Sequence, residues 1–350
     1  MVNLVTYNIH SGVGLDNDYN LERIAQVLQS CKAEIACLQE VERNRVHRKA
    51  RKWSHAHSDN QPEILGKLSN MPYTAFLPCL HAYVESTASD AARKEKKSKF
   101  REWMQHEILV KDDEHKESSY GIAILSRYEI LEMKTLLFSR KENSKSQGAV
   151  SGNIDMDKDE QPRGALAVLL EIPKADQDQD HHHHHENDVK RMWVVNTHIS
   201  HKICSEEQRS HAKELTSWIN SFAVSGMDTN LDTEKIARKH AMILCGDLNS
   251  PVSLPRTGLS VIMADGKWTD LWNHHGTYDN SATMPSSVYK SKSRLSSFFK
   301  PMLGMRIDYI LSYRSEDLLS VICNEIKVLN EGGHPEASDH CAVWADLHLS

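Results

Sequence analysis

Apolar residues in this chain fall into short runs that are cut off by polar or charged groups, the pattern of strands alternating with turns and helices. The pattern predicts strands over 2–8, 35–39, 121–126, 165–172, 192–197, 242–245, 307–312, 321–328 and 341–349. In the last of these, Val343, Ala345, Leu347 and Leu349 alternate with Ala342, Trp344, Asp346 and His348, the period of a half-buried strand. Two segments carry helical spacing instead. In "NLERIAQVLQSC", Leu21, Ile24, Ala25 and Leu28 form one apolar stripe behind an Asn20 N-cap. In "SEEQRSHAKELTSWI", Ser205 and Gln208 have the spacing of a capping box, and Leu215, Trp218 and Ile219 mark the buried face.

Strands and helices interleave from end to end, which predicts one α/β domain over 1–350. Surface insertions are expected near 43–70, 86–118, 140–162 and 174–190. The second holds "RKEKKSKFREW", read as the solvated face of a charged helix, with a phosphate- or lipid-facing patch as the alternative. The fourth holds "DQDQDHHHHHEND", whose histidines 181–185 read as a solvated loop, because nothing preorganises them for a metal.

With 350 residues, of which 39% are hydrophobic, the chain is able to bury a sizeable core. Its net charge of −6 gives no general attraction to polyanions, so charge alone does not favour nucleic acid. The opening "MVNLVTYNIH" has neither a basic nor an apolar leader region, and no run approaches the ~18 apolar residues of a membrane span. The seven cysteines are scattered, without a CxxC pair, and Cys37, Cys245 and Cys341 sit in or beside apolar strands. A reduced intracellular location, cytoplasmic or nuclear, is expected. No obligate protein partner is evident.

The chemistry collects where strands stop. "AMILCGDLNS" runs apolar and then delivers Asp247 and Asn249. "VTYNIHSG" ends at Asn8 and His10, "IACLQEVE" at Glu40, and "VVNTHIS" at His198. "MRIDYILSY" sets Asp308 among apolar neighbours, and "EASDHCAVW" puts Asp339 and His340 just before the final strand. A buried, unpaired carboxylate costs several kcal/mol, so such groups meet partners or a cation. Asn8, Glu40 and Asp339 offer only oxygen donors, which suits Mg²⁺ or Mn²⁺.

The series YNIH, LQEVE, YGIAILSR, NTHIS, GDLNS, RIDYI and SDH resembles the endonuclease/exonuclease/phosphatase superfamily, from residue 2 to residue 349. The resemblance implies a four-layered sandwich, with two mixed β-sheets packed face to face and helices outside. It also implies hydrolysis of a phosphate ester by an activated water with a divalent cation. By the same resemblance Glu40, Asn8 and Asp339 hold the metal, and His340 contacts the phosphate and is oriented by Asp308. Asp247 orients or deprotonates the water, Asn249 holds a phosphate oxygen, and His198 is the second site histidine. Tyr120 and His10 complete the substrate contacts.

The first motif reads Asn8-Ile9-His10, without the tryptophan-led acidic form typical of apurinic endonucleases and 5-phosphatases. The wording around it is similar to predicted hydrolases linked to glycolipid-anchor remodelling. The expected substrate is therefore a lipid or small-molecule phosphodiester, with peripheral membrane contact possible. A nuclease is the first alternative and a non-catalytic scaffold the second. Phe298, Phe299, Met302 and Leu303 read as core, or as an apolar lip beside Asp308.

Overall fold

Helical crossovers make parallel strand pairs, and the chain uses that device twice. The first is β1 (Val2–Asn8), α1 (Leu21–Ser30), β2 (Ile35–Arg43), and β1 and β2 pair in parallel. The second is β7 (Val189–His198), α3 (Glu206–Ala223), β8 (His240–Asp247), again a parallel pair. These facts come from a computed structural model that describes residues 1–45, 57–82, 118–139, 162–173, 189–223, 239–275, 281–284, 304–329 and 336–350. The other elements are α2 (Gln61–Leu68), β3 (Tyr73–Ala82), β4 (Ser118–Ser126), β5 (Ile130–Leu137) and β6 (Gly164–Pro173). They continue with α4 (Gly258–Met263), β9 (Trp268–Asp270), α5 (Trp272–His275), β10 (Asp308–Tyr313), β11 (Val321–Leu329) and β12 (Ala342–Leu349).

The strands form two mixed sheets of six, ordered β11-β12-β1-β2-β4-β3 and β5-β6-β7-β8-β10-β9. Each parallel pair therefore occupies the centre of its sheet, flanked by antiparallel strands. Leu4, Cys37, Leu77 and Ile124 from one sheet pack on Leu166, Val194, Ile243 and Ile310 from the other. A second core lies under α3 and α4, and a third under α1 and α2. The result is the four-layered α/β sandwich anticipated from the sequence. No helix among the described residues is long and apolar enough to cross a membrane.

Local signals explain much of this. Asn20 caps α1 by accepting from the Arg23 N–H at 3.1 Å, and Leu21, Ile24, Ala25 and Leu28 are all buried. Three strands escape the sequence pattern: β3, β5 and β9. Pro78 interrupts β3, and proline is tolerated there because β3 is an edge strand with a bulge at that point. The insertion expected over 43–70 is corrected in part, since β2 runs on to Arg43 and α2 packs its buried Leu65 into the core outside the first sheet. Strand β12 alternates only in its second half. Trp344 is buried beneath the helical layer while Val343 and Ala345 face the sheet interface. The basic cluster 93–101, the histidine run 181–185, residues 298–303 and most of the other expected insertions lie outside the described residues.

A buried carboxamide pair bridges the sheets. Gln39 Nε2 donates to Asn196 Oδ1 at 2.7 Å, and Asn196 Nδ2 donates to the Leu38 and Ala123 carbonyls at 2.9 and 2.8 Å. Substituting Asn196→Ala removes these three buried hydrogen bonds, while Gln39 Nε2 keeps Thr6 Oγ1 and the Cys37 carbonyl, each at 3.1 Å. It is expected to lower unfolding free energy by about 3 kcal/mol, read from urea denaturation, and a loss under about 0.5 kcal/mol would contradict the bridging role.

Candidate active site

Register brings the strand ends to one place. His198 stands opposite Asp247 in the parallel β7–β8 pair, and Asp247 stands opposite Asp308 in the antiparallel β8–β10 pair. From the other sheet, Asn8 Nδ2 reaches across to donate to Asp247 Oδ2 at 3.1 Å. The Asn249 backbone N–H donates to Asp247 Oδ1 at 2.8 Å. His198 Nε2 lies 3.3 Å and His340 Nε2 3.9 Å from Asp247 Oδ2. On its far side His340 Nδ1 meets Asp308 Oδ2 at 2.9 Å. His10 Nε2 lies 3.9 Å from Asp339 Oδ2, and the His10 backbone N–H donates to Asn8 Oδ1 at 3.1 Å.

The backbone is bent to aim these groups. Glu40 is the extra residue of a bulge between Gln39 and Val41, at φ 58°, in the left-handed region. Opposite the bulge stands Gly121, where a Cβ would meet the Leu77 carbonyl oxygen at 1.9 Å. Asn249 at φ 45°, His10 at φ 46° and Ser11 at φ 57° are strained in the same way. Each such residue costs of order 1–3 kcal/mol and persists only where its surroundings hold it. Gly246 precedes Asp247 at φ 146°, and a Cβ there would sit 2.0 Å from the Thr197 carbonyl oxygen.

Two hydroxyls complete the frame. Ser338 donates to the Asn8 carbonyl at 2.8 Å and accepts from the His340 N–H at 3.2 Å, tying the start of β12 to the end of β1. Thr283 Oγ1 accepts from the Ile307 and Asp308 N–H groups at 3.0 and 3.2 Å.

Electrostatics divide the two central histidines. Burial disfavours a charged His340, but Asp308, Asp247 and Asp339 outweigh it and hold the imidazole well above its ordinary range. Burial lowers His198, and the Arg163 guanidinium lowers it further, against the pull of Asp247. Arg163 Nη1 lies 2.5 Å from His198 Nδ1 and 2.8 Å from Nε2, so its positive charge sits directly against the ring and opposes protonation. Burial pushes Asp247 up, but His198, His340 and the Asn249 N–H carry it far below the usual carboxylate range. Glu40 is likewise raised by burial and then drawn below its usual value by His198, His10, Arg163 and His340. Burial raises the Tyr120 hydroxyl, as does the Glu40 charge.

Asn8, His198, Asp247, Asn249, Asp308 and His340 are thus joined directly, and His10 and Asp339 sit beside them. Glu40 and Tyr120 are linked to the group by charge. Asp247, Asp308 and His340 present ligand atoms within 4.8 Å of one another, a buried acid–imidazole trio able to hold a cation, and it does not include Glu40 or Asp339. Arg163, Ser338 and Thr283 were not anticipated. Arg163 immediately precedes β6, whose Gly164 lies level with His198 in the antiparallel pairing, a relation that only the sheet reveals.

The model of the endonuclease/exonuclease/phosphatase family matches residues 5–340. The chain belongs to this family. Members are phosphoesterase hydrolases. The fold is similar to an endonuclease/exonuclease/phosphatase of Beutenbergia cavernae, at 20% identity and TM-score 0.60, covering 100% of this chain and 72% of that one. It is also similar to a mannosyl-6-phosphatase of Bacteroides thetaiotaomicron, at 15% identity and TM-score 0.53, over 99% and 100% of the two chains. TDP2 of D. rerio, complexed with a single-strand DNA product, gives 12% identity and TM-score 0.52 over 99% and 98%. No curated protein sequence matches the chain.

For this family member the charged His340 has a thermodynamic signature. A histidine raised on folding stabilises fully below its unfolded value, about 6.5, and loses that contribution as pH rises through the folded value. The stability gap between the metal-free protein and Asp308→Asn should therefore be full below about pH 6.5 and narrow as pH rises above it, in urea titrations with EDTA. A gap that widens as pH rises would contradict the assignment.

Proposed function

We propose that the chain hydrolyses a phosphodiester with an activated water and a divalent cation, Mg²⁺ or Mn²⁺, as one domain over 1–350. The observation that carries this reading is the set of Asn8, Asn249, His198 and His340 gathered around the buried carboxylate of Asp247. The donor set fits a hard cation. The half-buried Glu40 carboxylate accepts no hydrogen bond and has no ion-pair partner within 4.0 Å among the described residues, although strained backbone aims it at the site. Glu40 would hold the ion, with Asn8 Oδ1 and Asp339 beside it. A bound cation supplies charge for a phosphoryl oxygen and acidifies water.

The protein's own groups divide the proton work. Asp247, held ionised by the donors around it, orients the water. His198, kept from charging by burial and Arg163, stands beside Asp247 and takes the water's proton as the new P–O bond forms, its ring nitrogen released once phosphate oxygens accept the Arg163 and Asn249 donors. Charged His340, held by Asp308, faces the developing negative charge and gives its Nε2 proton to the leaving oxygen as the ester P–O bond breaks. Asn249 and Arg163 offer donors to phosphate oxygens, and Tyr120 and His10 bound the substrate.

The net charge of −6 favours a lipid or small-molecule phosphodiester over nucleic acid. Seven free thiols fit a reducing intracellular compartment. A nuclease remains the second reading, supported by the Arg163 guanidinium buried at the site.

Turnover of bis-p-nitrophenyl phosphate should vanish with EDTA and return with Mg²⁺ or Mn²⁺. Glu40→Gln and His340→Ala should each lose at least ~10²-fold, the scale of one electrostatic stabiliser. Equal, EDTA-insensitive turnover in all three proteins would remove the catalytic claim for this site. Comparing sphingomyelin, phosphatidylinositol and abasic DNA duplex identifies the class, with cleavage of the duplex alone favouring the nuclease.

A further inference from the structure

The spacing of Ser205 and Gln208 predicts a reciprocal capping box, but only half of it forms. The Gln208 N–H donates to Ser205 Oγ at 3.0 Å, as a cap requires. The Gln208 side chain does not return to the Ser205 N–H. It is fully buried and turns toward the ends of β7 and β8. There Nε2 donates to the Asn249 carbonyl at 2.8 Å and the Ser200 carbonyl at 3.0 Å, with the Leu248 carbonyl at 3.5 Å. Oε1 accepts from the Gly258 N–H at 3.0 Å and the Cys204 N–H at 3.3 Å.

One end of this side chain thus meets only carbonyls and the other only N–H groups. A carboxamide satisfies both, whereas a carboxylate would set an oxygen against carbonyls and an aliphatic chain would satisfy neither. The contacts join the loop after His198 to the loop after Asp247. They also fix the carbonyl of Asn249, whose left-handed backbone sends its N–H to Asp247 Oδ1 and its Nδ2 to His198 Nε2 at 3.2 Å. A strained asparagine needs such a hold, because relaxation to an ordinary conformation would withdraw both contacts.

We infer that Gln208 is a positioning residue: its buried carboxamide holds Asn249 in the left-handed conformation that keeps Asp247 and His198 aligned for the reaction. The inference rests on the proposed hydrolysis for its kinetic consequence, but its geometry is testable without turnover. The specific expectation is that Gln208 acts through Asn249, so the two residues form one energetic unit.

A double-mutant cycle tests this on the full chain, with bis-p-nitrophenyl phosphate and Mn²⁺. Gln208→Leu should lower kcat by about 10- to 100-fold with KM changed less than about threefold, the scale of a small misplacement of reacting groups. In the Asn249→Ala background the same substitution should cost less than about threefold more. Full additivity would overturn the inference. The ring-nitrogen NMR signals of His198 provide the readout independent of activity. Gln208→Leu and Asn249→Ala should move them alike while leaving exposed His348, on β12, in place. If the wild type shows no turnover, the proposed hydrolysis fails, and the His198 signals still decide the positioning role. If Gln208→Leu does not fold, Gln208→Glu serves instead. It should displace the His198 signals at pH 8 and restore them in part toward pH 6, as protonation returns one donor, and an unmoved His198 would overturn the inference.

Discussion

A carboxylate kept ionised inside the protein is the constraint around which the rest is arranged. Asp247 is 1% exposed, and removing such a charge from water costs several kcal/mol unless polar groups replace the solvent. Those groups come from both sheets: Asn8 from β1, the Asn249 N–H beyond β8, and imidazoles from β7 and from the segment before β12. Had they come from one sheet alone, the sandwich would be free to slide without cost at this point. Because they come from two, the pairing of the sheets and the assembly of the site are the same event. The price is visible in the backbone, where Glu40, His10, Ser11 and Asn249 all hold left-handed conformations.

The repeated crossover explains why the chemistry collects at one end. β1 and β2 run parallel in one sheet, β7 and β8 in the other, and Asn8, Glu40, His198 and Asp247 stand at or near their carboxyl ends. Antiparallel neighbours must then contribute from their beginnings, and Asp308, at the start of β10, and His340, just ahead of β12, do so. Open α/β sheets place ligands outside the carboxyl ends of parallel strands by the same logic. Helices α1 and α3, which make the crossovers, also supply the outer cores that bury both sheets.

Most of this was legible because each motif is local: an apolar run followed at once by an acid, amide or imidazole. The two mixed sheets, the four layers and the sandwich followed from the resemblance those motifs carry. What escaped reading depends on contacts distant in sequence. Thr283 earns its place by holding Asp308, 25 residues away, and nothing nearby announces it. Arg163 looks like an ordinary basic residue before a strand until β6 is paired with β7. Strand β3 was hidden by Pro78, and its edge position, which makes the proline harmless, is a property of the sheet alone. Gln208 shows the opposite failure, since its spacing matched a local motif while its side chain serves a tertiary one.

The proposed hydrolysis requires a cation bound by Glu40 and a phosphoryl group to share the space in front of Asp247. Anomalous X-ray scattering from crystals soaked in Mn²⁺ and inorganic phosphate tests it most directly. A manganese peak is expected at about 2.0–2.3 Å from a Glu40 carboxylate oxygen, with phosphate between it and His340. A peak seated instead on Asp247, Asp308 and His340, with Glu40 uninvolved, would contradict it.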